Sequence, residues 1–460
     1  MNALIEQRER NPLVPLVLGT CAAGIAFLPS PVYQAAAAGA LLAVPCLWFV
    51  LLEPDRWLSL FFAACLLAPP LPVALGNSGP HVALGIACIG LVVGVLRAGE
   101  WRLRLDAVAT RLAILFAVLV GSVAFALVYS GAAVAAGSLA RVCLFGIGCY
   151  VFFYAGLGPA QRQRRLATQL FWCAAGSALF ACLDFYFQWP APAGYGPQFI
   201  WLDSGVFRRA QGVFYEASTL GNLCVFFLTM SAVALMRPRS ESPVPRWAVV
   251  SAAPVLATAL VLSYSRASLV TLCICVGTLF FLQKKGLSVR RWGLIAAVSM
   301  LAGGALAFVL FPGFVRGYFD RILLSAKFLF SATNGVLSGR LDSWQRLATF
   351  LIEHPWHLMF GVGYKTLPYS DVAGGPVIAD NMYLSLLVET GGVGLFAFLA
   401  LNAAILRAGW RARSTFYGAW IFSFWTGQTI QMLSGDLLTY WRVIPVYFWV
   451  LAQTIRTEHE

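Results

Sequence analysis

Ala217 to Met236 reads ASTLGNLCVFFLTMSAVALM, twenty residues without a charged side chain. At ~1.5 Å of rise per residue, a helix of that length covers about 30 Å, the thickness of a bilayer's hydrocarbon core. Inside lipid the backbone must satisfy its own hydrogen bonds, so such a stretch is expected to be a helix. Similar apolar runs lie on both sides of it. Upstream are Leu13–Leu28, Val32–Leu52, Trp57–Leu75, Val82–Leu96, Val108–Val128, Ser138–Leu157 and Thr168–Phe187. Downstream are Trp247–Leu262, Ala267–Leu282, Trp292–Phe311, Met382–Leu406, Phe416–Met432 and Val443–Ile455. The pattern predicts an all-α polytopic integral membrane protein with about 12–14 transmembrane helices, the lower count applying where short runs are tilted or re-entrant. Composition agrees, with 60% of residues hydrophobic and only 11% charged, against about 25% charged in a soluble domain.

The net charge of +13 suggests nucleic acid, but its distribution does not. Arg56, Arg97, Arg102, Arg104, Arg162, Arg164, Arg165, Arg237, Arg239, Arg246, Lys284, Lys285, Arg290, Arg291, Arg407, Arg411 and Arg413 fall in alternate loops. The short loops between them hold almost no cation, Arg266 and Arg442 excepted. This positive-inside asymmetry puts the arginine-rich loops in the cytoplasm beside anionic lipid and argues against a nucleic-acid partner. Glu6, Arg8, Glu9 and Arg10 precede a first span without a convincing cleavage site, so that span is expected to remain as an anchor. All eleven cysteines sit in expected spans with no Cys-x-x-Cys pair, which favours small apolar side chains over ligands.

Two segments expected outside the membrane break the rhythm of tight turns within a single membrane domain covering 1–460. The shorter is 188–215. The longer is 312–381, with helices expected over Tyr318–Phe330 and Arg340–Glu353. In the second, Leu341, Trp344, Leu347, Ala348, Leu351 and Ile352 form an apolar stripe that can pack on the membrane domain or lie in the interface. Arg141, Asp184, Arg208, Arg209, Glu216, Arg266, Asp380 and Glu389 map near the external ends of spans, while the midplane is almost free of charge. Ions near a membrane core are costly and tend to be functional, so the chemistry is expected on the extracytoplasmic side.

Several short motifs stand in a definite order. Arg209-Ala-Gln-Gly-Val-Phe214 runs into Ala217, Ser218 and Gly221, and Ser263-Tyr-Ser-Arg266 occupies a tight turn. Gly339-Arg340 with Trp344 and His354-Pro355 with Gly361-Val-Gly363 come next. Asp380-Asn381-Met-Tyr-Leu384 leads to Gly391 and Gly394. In this order, the stretch from Arg208 to Leu406 resembles the O-antigen ligase and polymerase family of bacterial membrane enzymes. The resemblance implies a GT-C-like fold in the bacterial cytoplasmic (inner) membrane, with the active site facing outward. It implies a polyprenyl-pyrophosphate-linked oligosaccharide donor, a glycan acceptor and no cofactor or metal. Membrane lipids and a chain-length regulator are the other partners expected.

A departing pyrophosphate needs fixed cations, best supplied by guanidinium forks. Arg209 and Arg266 match the family positions, and Arg340 and Arg208 are further candidates. Glu216, Asn381 and Tyr383 complete the expected substrate contacts. The attacking hydroxyl needs a base. The ligase pattern has histidine before Asn381, where this chain has Asp380, and the resemblance therefore favours a polysaccharide polymerase with Asp380 and Arg266 catalytic. The alternatives are a ligase that loads lipid A core or protein, and a transporter or flippase. Transport usually places ionisable groups at the midplane between repeated halves, and neither feature is present.

Each residue also has a plainer reading. Arg208 and Arg209 can be solvated loop charge. Arg266 can cap a helix C-terminus or snorkel to lipid phosphate, and Asp380 can be the N-cap of the span that follows. Gly391 and Gly394 can serve helix packing. His354 and His357 lack neighbouring ligands, which favours structure over zinc. Glu389 lies about 13 Å further along the helix than Asp380 and on another face, too far for a carboxylate dyad.

Overall fold

The computed structural model describes residues 13–459 apart from 53–54, 72–79, 98, 100–105, 156–159, 193, 203–204, 283–311 and 328–339. The expected span Trp292–Phe311, the basic residues Lys284–Arg291, the N-terminal charges and Gly339 lie outside the described residues. Elsewhere the apolar runs fall on helices: α1 (Leu13–Ala26), α2 (Pro31–Leu52), α3 (Asp55–Leu67), α4 (Val82–Leu96), α5 (Ala107–Ala155), α6 (Ala160–Phe187), α7 (Ala217–Met236), α8 (Arg246–Leu262) and α9 (Arg266–Leu282). Then follow α10 (Pro312–Lys327), α11 (Arg340–Glu353), the single turn α12 (His357–Phe360), α13 (Met382–Arg411), α14 (Phe416–Gln431) and α15 (Ile444–His459). The chain is an all-α polytopic membrane protein. Four described helices, Ala107–Ala155, Gln163–Phe187, Ala217–Met236 and Met382–Arg411, are long and apolar enough to cross a membrane, and several shorter apolar helices pack beside them.

One element departs from the all-helical expectation. Within 188–215, β1 (Phe199–Leu202) and β2 (Gly205–Arg208) pair antiparallel, with Phe199 opposite Arg208 and Leu202 opposite Gly205. Two of the long helices are also interrupted. Gly131 (φ 81°) breaks α5 between the two runs read as separate spans, and Gly391 (φ 69°) breaks α13 nine residues after its start. Both positions need a backbone conformation that only glycine adopts without strain.

Hydrophobic burial alone gives transmembrane helices little reason to associate, because lipid is as apolar as leucine. Close packing and buried polar contacts supply specificity instead. Phe226 on α7 is ringed by Trp420, Tyr447 and Phe424 at centroid distances of 4.4, 4.5 and 4.7 Å. Trp420 Nε1 donates to the Phe226 carbonyl at 2.8 Å. Beside them, Gln431 Oε1 accepts from Asn222, Thr271 and Gln428 at 3.0, 2.9 and 2.7 Å. This polar knot ties α7, α9 and α14 together at one level.

The long segment after α9 is packed rather than loose. In α11, Leu347 and Leu351 are buried with Phe350 against Val362, Leu367, Val377 and Val388, whereas Ile352 of the expected stripe is 80% exposed. Only part of the stripe therefore packs on the membrane domain. The break in α13 anchors the segment that follows α12. Gly363 N–H donates to the Glu389 carbonyl at 2.8 Å and Val362 N–H to the Val388 carbonyl at 3.1 Å. A Cβ on Gly361 would lie 2.4 Å from the Glu389 carbonyl oxygen, so these glycines allow backbone to rest on backbone.

Candidate functional site

The site is assembled from helix ends. Glu216 is the N-cap of α7, Arg266 is the first residue of α9, and Asn381 is the N-cap of α13. Helix N-termini carry partial positive charge and unpaired N–H groups, which favours anions. The C-terminus of α8 ends at the same turn, and Arg209 meets it: its Nε donates to the Ser263 carbonyl at 2.9 Å. The sequence offered Arg266 as a cap of a helix C-terminus, but Arg209 fills that place and Arg266 opens the next helix.

Arg208 and Arg209 separate because successive residues in an extended chain face opposite ways. Arg209 N–H extends the hairpin ladder to the Gln198 carbonyl at 2.9 Å. Arg208 Nη2 turns instead to both carboxylate oxygens of Asp184, at 3.3 and 3.2 Å, in a largely buried ion pair. Arg208 is therefore committed to holding the hairpin on α6. Arg209 lies in a mixed electrostatic setting. Burial lowers its affinity for a proton, Glu216, Tyr440 and Tyr318 oppose that, and Arg266 reinforces it. Burial raises the Glu216 carboxyl above the usual carboxylate range, against a hydrogen bond from Thr219 and the charge of Arg209, and Asp380 adds to the rise. Arg266 in turn interacts with Arg340 and Tyr318.

The long segment brings the remaining groups. Arg340 Nε donates to Asp380 Oδ2 at 3.2 Å, in a pair whose side chains are 24% and 49% exposed. Trp344 Nε1 donates to the Ala379 carbonyl at 2.7 Å, fixing α11 beside that carboxylate. Asp380 does not cap α13. Asn381 does, its side chain accepting from the N–H groups of Tyr383 and Leu384 at 3.1 Å each. Asp380 has a left-handed backbone, φ 45°, which directs it away from the cap position. The Tyr383 hydroxyl donates to the Thr429 carbonyl at 2.7 Å, and its ring packs near Phe398. Asn381 and Tyr383 thus both make contacts that hold the start of α13.

Four residues not singled out in the sequence join the cluster. Tyr318 of α10 stacks on Tyr264 with centroids 5.0 Å apart. Tyr440 hydrogen-bonds Ser218 and has its pKa pushed far up by burial, with Glu216 and Asp380 adding to the effect. Lys365 forms an ion pair with Asp436. Burial disfavours its charge, while Glu389 and Asp380 favour it and Arg141 opposes it. Glu389 itself is 1% exposed and accepts from Ser385 Oγ at 3.1 Å, well inside the fold. Lys365 carries a sequence signal: it is the only lysine or arginine between Arg346 and Arg407. Arg442, an exception to the charge pattern, plays a different part. It donates to the carbonyls of Cys65, Val213 and Ala68 at 2.9, 2.7 and 2.7 Å and ties α3 to the turn before α7.

Arg209 and Arg340 therefore each meet one of two carboxylates at the starts of α7 and α13, and Arg266 interacts with both arginines. Residues 251–399 match the O-antigen ligase family. The matched stretch is about a third of the chain and includes Arg266, Arg340, Asp380, Asn381 and Tyr383. Arg208, Arg209 and Glu216 precede it. The match agrees with the resemblance carried by the motifs, and it supports an O-antigen ligase or polymerase type of function, which acts on lipid-linked glycans in a membrane setting. A search of curated proteins finds no match.

Proposed function

We propose that the chain is a surface-polysaccharide polymerase. It would transfer an oligosaccharide from a polyprenyl-pyrophosphate donor to a sugar hydroxyl of a second lipid-linked glycan. The observation that carries the reading is the grouping of Arg209 with Glu216 and of Arg340 with Asp380, with Arg266 interacting with both arginines. In the transfer, the acceptor hydroxyl attacks the donor's anomeric carbon. The new glycosidic C–O bond forms as the bond to pyrophosphate breaks, and the electron pair leaves with the diphosphate. Arg266 and Arg209, at the end of α9 and beside the end of α8, neutralise that leaving charge, and Arg340 is close enough to Arg266 to share it. Asp380, half exposed and beside Arg340, takes the hydroxyl proton. Glu216 holds Arg209 in place, Arg208 supports the hairpin through Asp184, and Asn381 and Tyr383 fix the helix end that carries Asp380.

The alternation of arginine-rich loops supports an extracytoplasmic position for the cluster, which lies in the other set of loops, and the proposed donor class supports a cytoplasmic-membrane location. Carboxylate chemistry at position 380 favours polymerisation over ligation. The test supplies the purified protein in detergent with lipid-linked repeat units alone. A ladder of products regularly spaced in length supports polymerisation. A single addition, seen only when a different acceptor is present, would identify a ligase. Uptake of glycan into sealed vesicles with no new glycosidic bond would sink both.

A further inference from the structure

Beyond the arginine cluster, the outer face of α11 forms one wall of a polar cleft of about 480 Å³. Asp342, Gln345, Thr349 and Glu353 line it on the helix side, and the turn at Val372–Gly374 closes the other side. Pockets of this order of size take ligands of several rings. The cleft follows α11 from Asp342 to Glu353, about 16 Å at helical rise. It starts two residues after Arg340, whose guanidinium faces Asp380.

The cleft is already held in shape. Arg346 donates to the Ala373 carbonyl at 2.8 Å and to the Gly375 carbonyl at 3.2 Å, and a guanidinium has further N–H donors to offer. Gly374 and Gly375 have φ of 75° and 124°, and a Cβ on either would lie 3.4 or 3.0 Å from Arg346 Nη2. A side chain at Gly375 would press against the arginine that joins the walls. Phe350 and His354 also line the cleft, with their rings stacked at a centroid distance of 4.9 Å and planes 29° apart.

The lining favours one class of ligand. Carboxylates and an amide on one helix face accept and donate in pairs, as neighbouring sugar hydroxyls require. Two acids, Asp342 and Glu353, line the cleft against one arginine, Arg346, so a phosphate or polyanion would meet like charge. Of the apolar members, Phe350 and Ala373 are buried and Val372 is half-buried, which leaves little for an apolar peptide or an acyl chain to cover. We propose that the cleft between α11 and the 372–375 turn is a glycan-binding subsite for the distal units of a neutral oligosaccharide whose reacting end lies beside Asp380. The placement of the reacting end rests on the transfer reaction proposed above, whereas the binding surface itself does not. Such a subsite would hold a long acceptor by units already joined and favour extension of long chains over short ones.

The test uses the full chain in detergent with Gln345→Ala and Thr349→Trp, two exposed positions on the cleft face. The probes are oligosaccharides of one and of three repeat units, released by mild acid from the host cell's own surface polysaccharide. Calorimetry is expected to show the longer probe binding each variant about tenfold more weakly, the effect of one or two lost hydrogen bonds. The single-unit probe should distinguish neither variant. In transfer assays, KM for the longer acceptor should rise by a similar factor with kcat unchanged. Gel filtration checks that Thr349→Trp folds, and Gln345→Ala serves if it does not. Equal binding of the longer probe by parent and variants overturns the subsite, as does absence of binding to the parent at millimolar concentration. Arg209→Ala combined with Arg266→Ala should keep the binding. If binding depends on the cleft but no form of the protein transfers glycan, the subsite stands and the polymerase reading falls. A product ladder with cleft-independent binding overturns the subsite and leaves the polymerase reading standing.

Discussion

Replacing Asp380 with asparagine separates a chemical role from a structural one, and the surroundings of the residue set both magnitudes. The carboxylate is 49% exposed and its partner Arg340 24% exposed. An ion pair so open to water contributes no more than about 1 kcal/mol. The backbone at 380 is left-handed, φ 45°, and asparagine tolerates that region better than almost any residue except glycine. Asp380→Asn should therefore fold with a thermal midpoint within a few degrees of the parent. A general base removed from the transition state should slow transfer about 10²- to 10⁴-fold, equivalent to about 3–5 kcal/mol of barrier. The assay is single-turnover transfer from a lipid-linked repeat unit, with unfolding in the same detergent followed in parallel. Retention of a rate within tenfold of the parent would refute Asp380 as the base. If Glu216→Gln then loses at least a hundredfold, the role passes to the buried carboxylate at the end of α7.

Other substitutions and conditions test neighbouring parts of the argument. Arg208→Ala strands Asp184, so the melting temperature should fall, by about 3 kcal/mol of stability, with KM for donor unchanged in the folded fraction. Arg209→Ala should instead lower the transfer rate, and equal effects in both variants would contradict the opposed facing of the two arginines. Gly391→Ala puts a Cβ 2.2 Å from the Met359 carbonyl oxygen at φ 69°. It should cost at least about 2 kcal/mol, seen as loss of the monodisperse peak in detergent. His81 caps α4 through Nδ1 and contacts the Ala68 carbonyl through Nε2. Burial, aided by Arg442, lowers its pKa from 6.5 to about 4. Because the folded value is depressed, its contribution is full above pH 6.5 and lost as pH falls toward 4, on the order of 3 kcal/mol. His81→Asn should flatten that limb of the stability–pH curve. Arginines supply the cationic charge in the proposed transfer, so dialysis against EDTA should leave the rate within twofold; a larger loss restored by magnesium would count against an all-arginine site.

Much of the architecture was legible because hydropathy acts locally. A run such as Ala217–Met236 must be a helix in lipid whatever its neighbours do. The hairpin was hidden because its strands are four residues each, too short for alternation to stand out beside the apolar runs. The continuity of α5 through Gly131 was hidden for a different reason, since a glycine between two apolar runs marks a possible break without fixing its angle. At the site, the charges at span ends were visible, as were the glycines that let the long segment rest on α13. Arg208 and Arg209 looked alike in sequence, and only the strand pleat tells them apart. Asp380 and Asn381 exchange the expected capping role because the left-handed turn at 380 places the next side chain over the helix end. Lys365 pairs with Asp436 and Tyr318 stacks on Tyr264 across segments distant in sequence, so no local pattern could have grouped them.

The pairing of Phe199 with Arg208 has a consequence for how the protein tolerates insertions. A strand shifted by one residue exchanges the faces of all its side chains. A single residue added near the tip between β1 and β2, far from any reacting atom, would send Arg209 toward Asp184 and Arg208 toward α9. The loss would mimic an active-site lesion although every charged group was still present. A compensating one-residue deletion on the same strand should restore it, which makes this small ribbon a gauge that decides which of two identical cations serves the chemistry.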